Sequence, residues 1–286
     1  MKENRNILAH MQALFLFKHK RLRMIQITPD QVTPPIRALF RTEAMQAVRC
    51  FAVLEGSAPK GKIFVDNLTD PRWALVQEAY DKSLFLGGNV DASAFAEVFA
   101  ALRQEGEVLT GLPYGDPRLA LFPPDPYYDA CVLEFYDRPI GEGLDHYLRQ
   151  IPEDCEIRRP NRDLVLRTEW GPGDVAFHGG LDAWEKTGFG YVLMRGDEIL
   201  SEASAGSPAL GCYEPGVFTQ ETHRGKGYGT MVTARLIQEI EAMGMNTYWN
   251  CTAKNAGSIG IARNLGYRSR KEFRCLAWHK TDSTSA

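Results

Sequence analysis

Between Asp91 and Gly106 apolar residues fall at Phe95, Val98, Phe99 and Leu102, the spacing that lines one face of a helix, and Asp91 stands where an N-cap belongs. A second helical run opens at Met231 and carries Val232, Leu236, Ile240 and Met243 before Gly244 closes it. A shorter one has Leu144, Tyr147, Leu148 and Ile151 on one face, and Ile36–Phe40 suits a helix as well. Between these runs the chain reads as strands: Cys50–Leu54, Lys62–Val65, Trp73–Val76, Ser83–Leu86, Cys131–Tyr136, Cys155–Arg158, Tyr191–Met194, Ile199–Ala203, Tyr213–Thr219, Asn246–Cys251 and Arg268–Trp278. Residues 161–186 read as irregular and helical ground, and the Gly196-Asp197 pair predicts a hairpin between its flanking strands. Asn255 starts a last helix that Gly266 ends.

These elements predict an α+β fold with a mixed sheet. Prolines at 113, 117, 123, 124 and 126 mark a long connection over 111–128, because neither a helix interior nor a central strand tolerates them. The predicted organisation is an arm over 1–23, an α+β lobe over 24–150, a second domain over 151–280 and a tail over 281–286.

Composition narrows the classes. The chain has 286 residues, 44% hydrophobic and 24% charged, as in a soluble globular protein of one large domain or two ordinary ones. A net charge of -3 provides no broad field for nucleic acid, so basic residues are read locally. Six cysteines at 50, 131, 155, 212, 251 and 275 show neither Cys-x-x-Cys nor zinc spacing, which predicts buried thiols in a reducing compartment and no metal site. No apolar run reaches the length of a membrane span. The apolar stretch Ile7–Phe17 lacks a small-residue cleavage site and is followed by basic residues, so export is not expected and the cytoplasm is.

The chemistry concentrates after Val217-Phe218-Thr219. That strand feeds a loop, Arg224-Gly225-Lys226-Gly227-Tyr228-Gly229-Thr230, which opens a helix. Backbone N–H groups at a helix start, with no Cβ to hold a ligand away and two cations alongside, suit a phosphate or pyrophosphate. Taken alone, the hexapeptide also fits a glycine-rich hairpin or a helix start with solvated basic residues. The spacing is neither Gly-x-x-x-x-Gly-Lys-Ser/Thr nor Gly-x-Gly-x-x-Gly, which disfavours the common nucleotide and dinucleotide loops.

The Arg-x-x-Gly-x-Gly pattern, a preceding strand, a long following helix, Asn255-Ala-Gly-Ser258 and Leu265-Gly266-Tyr267 together resemble the GNAT superfamily of acyl-CoA-dependent N-acetyltransferases. The resemblance covers roughly 153–280. It implies acetyl-CoA as co-substrate, with 224–230 on its pyrophosphate, the backbone of Val217, Phe218 and Thr219 on the pantetheine arm, Asn255 and Ser258 as further contacts, and a primary amine as acceptor. It implies Glu214 as the carboxylate that helps deprotonate the amine. Pro215-Gly216 predicts a bulge or splay in that strand. By the same resemblance His178 would fall in the acceptor pocket, while His223 touches the loop; both also read as ordinary surface histidines, and Glu221, next to the loop, reads as surface.

The chain departs from the family where Ala262 stands in place of the tyrosine that often protonates the leaving thiolate. A non-catalytic acyl-CoA-binding or regulatory protein therefore remains the alternative. The strand at 83–86, Gly87-Gly88 and the Asp91 helix echo the later strand, loop and helix, as a degenerate GNAT-like half would. Asp91 would repel phosphate there, so one CoA per chain is expected. Neither nucleic acid nor membrane is expected as a partner, and homo-oligomerisation stays open.

Overall fold

In a computed structural model the protein is described over residues 24–42 and 46–281, so the arm over 1–23 and nearly all of the tail lie outside the described residues. The N-terminal half contains β1 (Ile25–Ile27), the helices α1 (Pro34–Arg37) and α2 (Ala47–Leu54), then β2 (Gly61–Val65), β3 (Trp73–Glu78) and β4 (Leu84–Gly88). It continues with α3 (Ala92–Glu105), β5 (Val108–Leu112), β6 (Tyr128–Tyr136) and α4 (Leu144–Leu148). The C-terminal half has β7 (Glu156–Arg158), the helices α5 (Arg162–Val165), α6 (Gly171–His178) and α7 (Leu181–Thr187), and the strands β8 (Gly190–Arg195), β9 (Glu198–Ala205), β10 (Cys212–Tyr213) and β11 (Pro215–Thr219). It closes with α8 (Tyr228–Ala242), β12 (Asn246–Thr247), β13 (Trp249–Thr252), α9 (Ala256–Asn264) and β14 (Ser269–Trp278).

The expected α+β class is what the chain adopts, with local corrections; the helix expected over Ile36–Phe40, for one, is Pro34–Arg37. Cys50–Leu54, expected as a strand, is the core of α2; short apolar runs do not reveal their period, and here seven of the eight helix residues are buried on several sides. The helix expected from Met231 begins at Tyr228, because Gly227 (φ +82°) provides the left-handed turn that starts it. Strand β5 was not among the expected elements, and it lies just ahead of the proline-rich connection.

The sheets interleave the two halves. One antiparallel sheet runs β1-β2-β3-β4, and another runs β11-β9-β8-β7. A third has the order β13-β6-β14-β5, so β6 lies between two C-terminal strands and β14 lies between two N-terminal ones. Each exchanged strand fills the other half's core. Trp278 of β14 stacks on Phe122 at 5.0 Å and meets Phe99 edge-on at 5.2 Å beside α3. Leu133 and Phe135 of β6 pack with Ala234, Ile237 and Ala262 of α8 and α9. Gly111 of β5 leaves the room that the Phe273 ring occupies: a Cβ there would lie 2.6 Å from the ring.

Candidate acyl-transfer site

Strands β10 and β12 run parallel and paired, Cys212 with Asn246 and Tyr213 with Thr247, and one more bond joins the Tyr248 N–H to the Tyr213 carbonyl at 3.1 Å. Beyond that point they part. β11 turns away to pair with β9, and β13 turns the other way to pair with β6, leaving a wedge between two sheet edges. The break falls at Glu214, immediately before Pro215-Gly216, where the sequence predicts a splay.

The vertex of the wedge is locked by an ion-pair network. Arg49 of α2 donates from Nε (2.5 Å) and Nη2 (2.8 Å) to the two oxygens of Glu214, and its Nη1 meets Asp81. The Tyr248 hydroxyl donates to the same Glu214 carboxylate. Burial works against the charge on Arg49, yet Glu214 beside it carries the guanidinium well above the usual arginine range. Burial likewise pushes the Tyr248 hydroxyl well up, and the neighbouring Glu214 charge adds to this, so it stays a donor. Glu214 thus accepts three hydrogen bonds, leaving about one of a carboxylate's four acceptor positions free.

On one face of β11, Val217 reaches both neighbouring cores, and Thr219 exchanges a hydrogen bond with Ser201 at 2.9 Å. Gly229 packs against this face: a Cβ there would lie 3.0 Å from Thr219 Oγ1 and 3.1 Å from Ile261. Phe218 faces the other way, toward Trp170 at 6.2 Å. The loop at 225–227 is exposed, with Gly225 and Gly227 at positive φ. Tyr228 and Thr230 turn their side chains inward, so at these positions the backbone amides are what the loop offers. No side chain caps α8, and the first intrahelical bond there is from the Met231 N–H to the Gly227 carbonyl. The amides of the first turn are left for an outside acceptor. Arg224 Nε donates to the Thr219 carbonyl at 3.2 Å, and Lys226 is exposed.

In contrast, the N-terminus of α3 is filled. Asp91 accepts from the N–H groups of Ser93 at 2.9 Å and Ala94 at 3.0 Å. Asn255 is similarly employed inside the protein, accepting the Ser258 N–H at 3.0 Å, and the Ser258 hydroxyl accepts from Trp249 Nε1 at 3.0 Å. Ala262 is fully buried in the core. His223 is buried with Nε2 at 2.8 Å from Glu198, although the sequence places it on the surface; Glu221 is exposed.

A cavity of about 720 Å³ opens where β11 begins, bounded by α2, α6, α7 and the turn after β3. His178 lines it, with Nδ1 at 2.8 Å from the Thr187 hydroxyl; burial lowers its pKa. The Trp170 ring covers Gly216, where an added Cβ would lie 3.0 Å away. Sequence reasoning missed Arg49, Tyr80, Trp170, Asp174, Glu202 and Tyr248. Only Arg49 left a signal, a lone charge inside the apolar run Ala47–Leu54.

An uncapped, glycine-led helix start at a wedge between splayed parallel strands is the arrangement that the GNAT resemblance implies. The model of the GNAT acetyltransferase family matches residues 37–276, and the chain belongs to that family. It is 24% identical over 132 residues to the uncharacterized N-acetyltransferase YdfB of Bacillus subtilis (strain 168), a match covering 43% of this chain and about half (48%) of that protein's length. A GCN5-related N-acetyltransferase-like protein from Streptococcus suis 89/1591 has a similar fold, with a TM-score of 0.61 at 21% identity over 78% of this chain and 90% of that one. A tandem GNAT protein from the clavulanic acid biosynthesis pathway is similar over 92% of this chain and all of its own, with a TM-score of 0.59 at 11% identity.

Proposed function

We propose that the protein transfers the acetyl group of acetyl-CoA to a primary amine in a ternary complex. The observation that carries this reading is the uncapped α8 start beside an open wedge whose vertex borders a cavity large enough for an acceptor. The pyrophosphate accepts from the amides at 227–230 with Arg224 and Lys226 alongside, and the pantetheine arm lies along the free edge of β11 at Val217–Thr219. The neutral amine attacks the thioester carbonyl, the C–S bond breaks, the amine gives up a proton, and CoA leaves as a thiolate that takes one up. A thiol pKa of about 8.5 makes that leaving group tolerable without a tyrosine, which fits Ala262. Asn255 and Ser258 border this site mainly as the cap and brace of α9.

Glu214 enters as the anchor that holds Arg49 and Tyr248 at the vertex. As a base it would have to accept the amine's proton beside a guanidinium that already occupies both oxygens. Water in the cavity is the other exit for the proton, and a pH profile separates the two. The second reading, a non-catalytic acyl-CoA-binding or regulatory protein, is favoured by Ala262 and by the degenerate GNAT-like character of the N-terminal half. Thiol release from acetyl-CoA across a panel of amines, with calorimetry of CoA binding alongside, tests both. Binding without release under any amine leaves only the second reading.

A further inference from the structure

The acceptor cavity is lined by four carboxylates, and three of them are already engaged within the protein. Glu214 is held by Arg49. Glu78 accepts the N–H groups of Tyr80 (2.6 Å) and Asp81 (3.1 Å), and Glu202 accepts those of Glu169 (2.8 Å) and Trp170 (2.9 Å), so both oxygens of each are used. Asp174 differs. It lies on α6, where its N–H donates to the Trp170 carbonyl at 2.9 Å, and among the described residues the polar group that acts on its side chain is the Tyr80 hydroxyl of the N-terminal half. Among the described residues no lysine or arginine pairs with it.

The surroundings of Asp174 are aromatic. The rings of Tyr80 and Phe177 meet edge to face at 5.3 Å and 86°, and Trp170 stands one turn away over Gly216. Burial raises the pKa of Asp174, with the Tyr80 hydroxyl opposing that rise, which is the cost of keeping a carboxylate here without a counter-ion. A half-buried carboxylate among ring faces and edges is suited to an organic cation, which gains from the charge and from cation–π contact together.

Which cation it holds follows from the reaction. An amine paired to a carboxylate is stabilised as the ammonium and is then no nucleophile, so the group held by Asp174 cannot be the amine under attack. Asp174 stands about one helical turn, roughly 5.4 Å of backbone rise, along α6 from Trp170, whose ring covers Gly216 at the wedge. The cavity volume of about 720 Å³ lies within the range that drug-sized ligands fill and exceeds what a small monoamine needs.

We propose that Asp174, with the rings of Tyr80, Phe177 and Trp170, binds a second, non-reacting cationic group of the acceptor, so that the preferred acceptors are diamines, or amines with another positive charge on an apolar stem. The N-terminal half, which carries Tyr80, thereby contributes to acceptor selection. This rests on the assignment of the cavity to the acceptor, and the test separates the two. The intact protein, with and without saturating CoA, is titrated by calorimetry with 1,6-diaminohexane and with hexylamine, which share a stem and differ in the second charge. The diamine is expected to bind at least tenfold tighter, and in Asp174→Asn that ratio is expected to collapse to near one while CoA affinity holds. Equal affinities in the unaltered protein, a comparison that requires no variant to fold, overturn the proposal, as does a ratio that survives in Asp174→Asn. A diamine preference with no CoA binding would instead overturn the acyltransferase reading and leave the cation site standing.

Discussion

Arg49 and Glu214 stand 165 residues apart in the chain and meet through two parallel hydrogen bonds, Nε to Oε2 at 2.5 Å and Nη2 to Oε1 at 2.8 Å, at the point where β11 leaves β12. A helix of one half thus holds the strand break of the other. Their side chains are 26% and 13% exposed, so removing one partner strands a largely buried charge.

Arg49→Leu should therefore cost about 3 kcal/mol of stability, the lower end for breaking a buried pair, and Arg49→Leu with Glu214→Leu together should cost less than that single change. Chemical denaturation of the two variants checks this. A double variant less stable than the single would show that the network contributes net stability beyond charge balance.

Glu214→Gln keeps the size of the side chain and removes one acceptor for Arg49. As an anchor Glu214 would leave the pH profile of turnover parallel to that of the parent, at a lower level. A loss of about 10²-fold at neutral pH that shrinks at high pH would assign it the amine's proton instead. Initial rates between pH 6 and 10 distinguish the outcomes.

Gly227→Asp places a carboxylate at the uncapped start of α8, against the phosphates, and asks a residue with a Cβ to adopt φ +82°. The nearest atom to that Cβ, Met231 Cε, is 3.5 Å away, so the change should leave the fold near intact. Calorimetry should show CoA binding abolished, while the unaltered protein titrates to one CoA per chain because Asp91 already fills the corresponding helix start. Unchanged affinity in the variant would remove the loop from the binding site.

Asp174→Asn should raise thermal stability at neutral pH even as it weakens diamine binding. A carboxyl raised above its unfolded pKa binds its proton more tightly in the folded state, so its ionisation destabilises the fold above the folded pKa, and that penalty disappears below the unfolded value of about 3.9. The gain in Tm is expected at pH 7 and should fade toward pH 4. A gain that persists there would have another origin.

A fragment of residues 151–281 retains the loop, α8 and α9 but lacks β6, and β14 loses the flanking partner that β5 supplies. It should fail to fold cooperatively or to bind CoA, as read by circular dichroism and CoA titration. A folded, CoA-binding fragment would mean that the exchanged strands are dispensable.

The anion-binding loop was legible in the sequence because its chemistry is local. Arg224, the glycines at 225, 227 and 229 and the helix start are contiguous, and glycine's freedom at positive φ is a property of the residue itself. For the same reason Gly244 and Gly266 end their helices where expected, Asp91 and Asn255 cap theirs, and the Pro215-Gly216 break falls where the ladder would lose a donor. The fold class and the family pattern followed from those signals in order. The partners of Glu214 and the cavity were not legible, since each depends on segments that are distant in sequence. No periodicity tells that β6 lies between β13 and β14, because a buried strand reads the same whichever neighbours it has. Whether Asp174 finds a counter-ion is decided by what the other half of the chain brings to α6: the Lys60 ammonium goes to the Ala176 carbonyl, and it is Tyr80 that comes to Asp174.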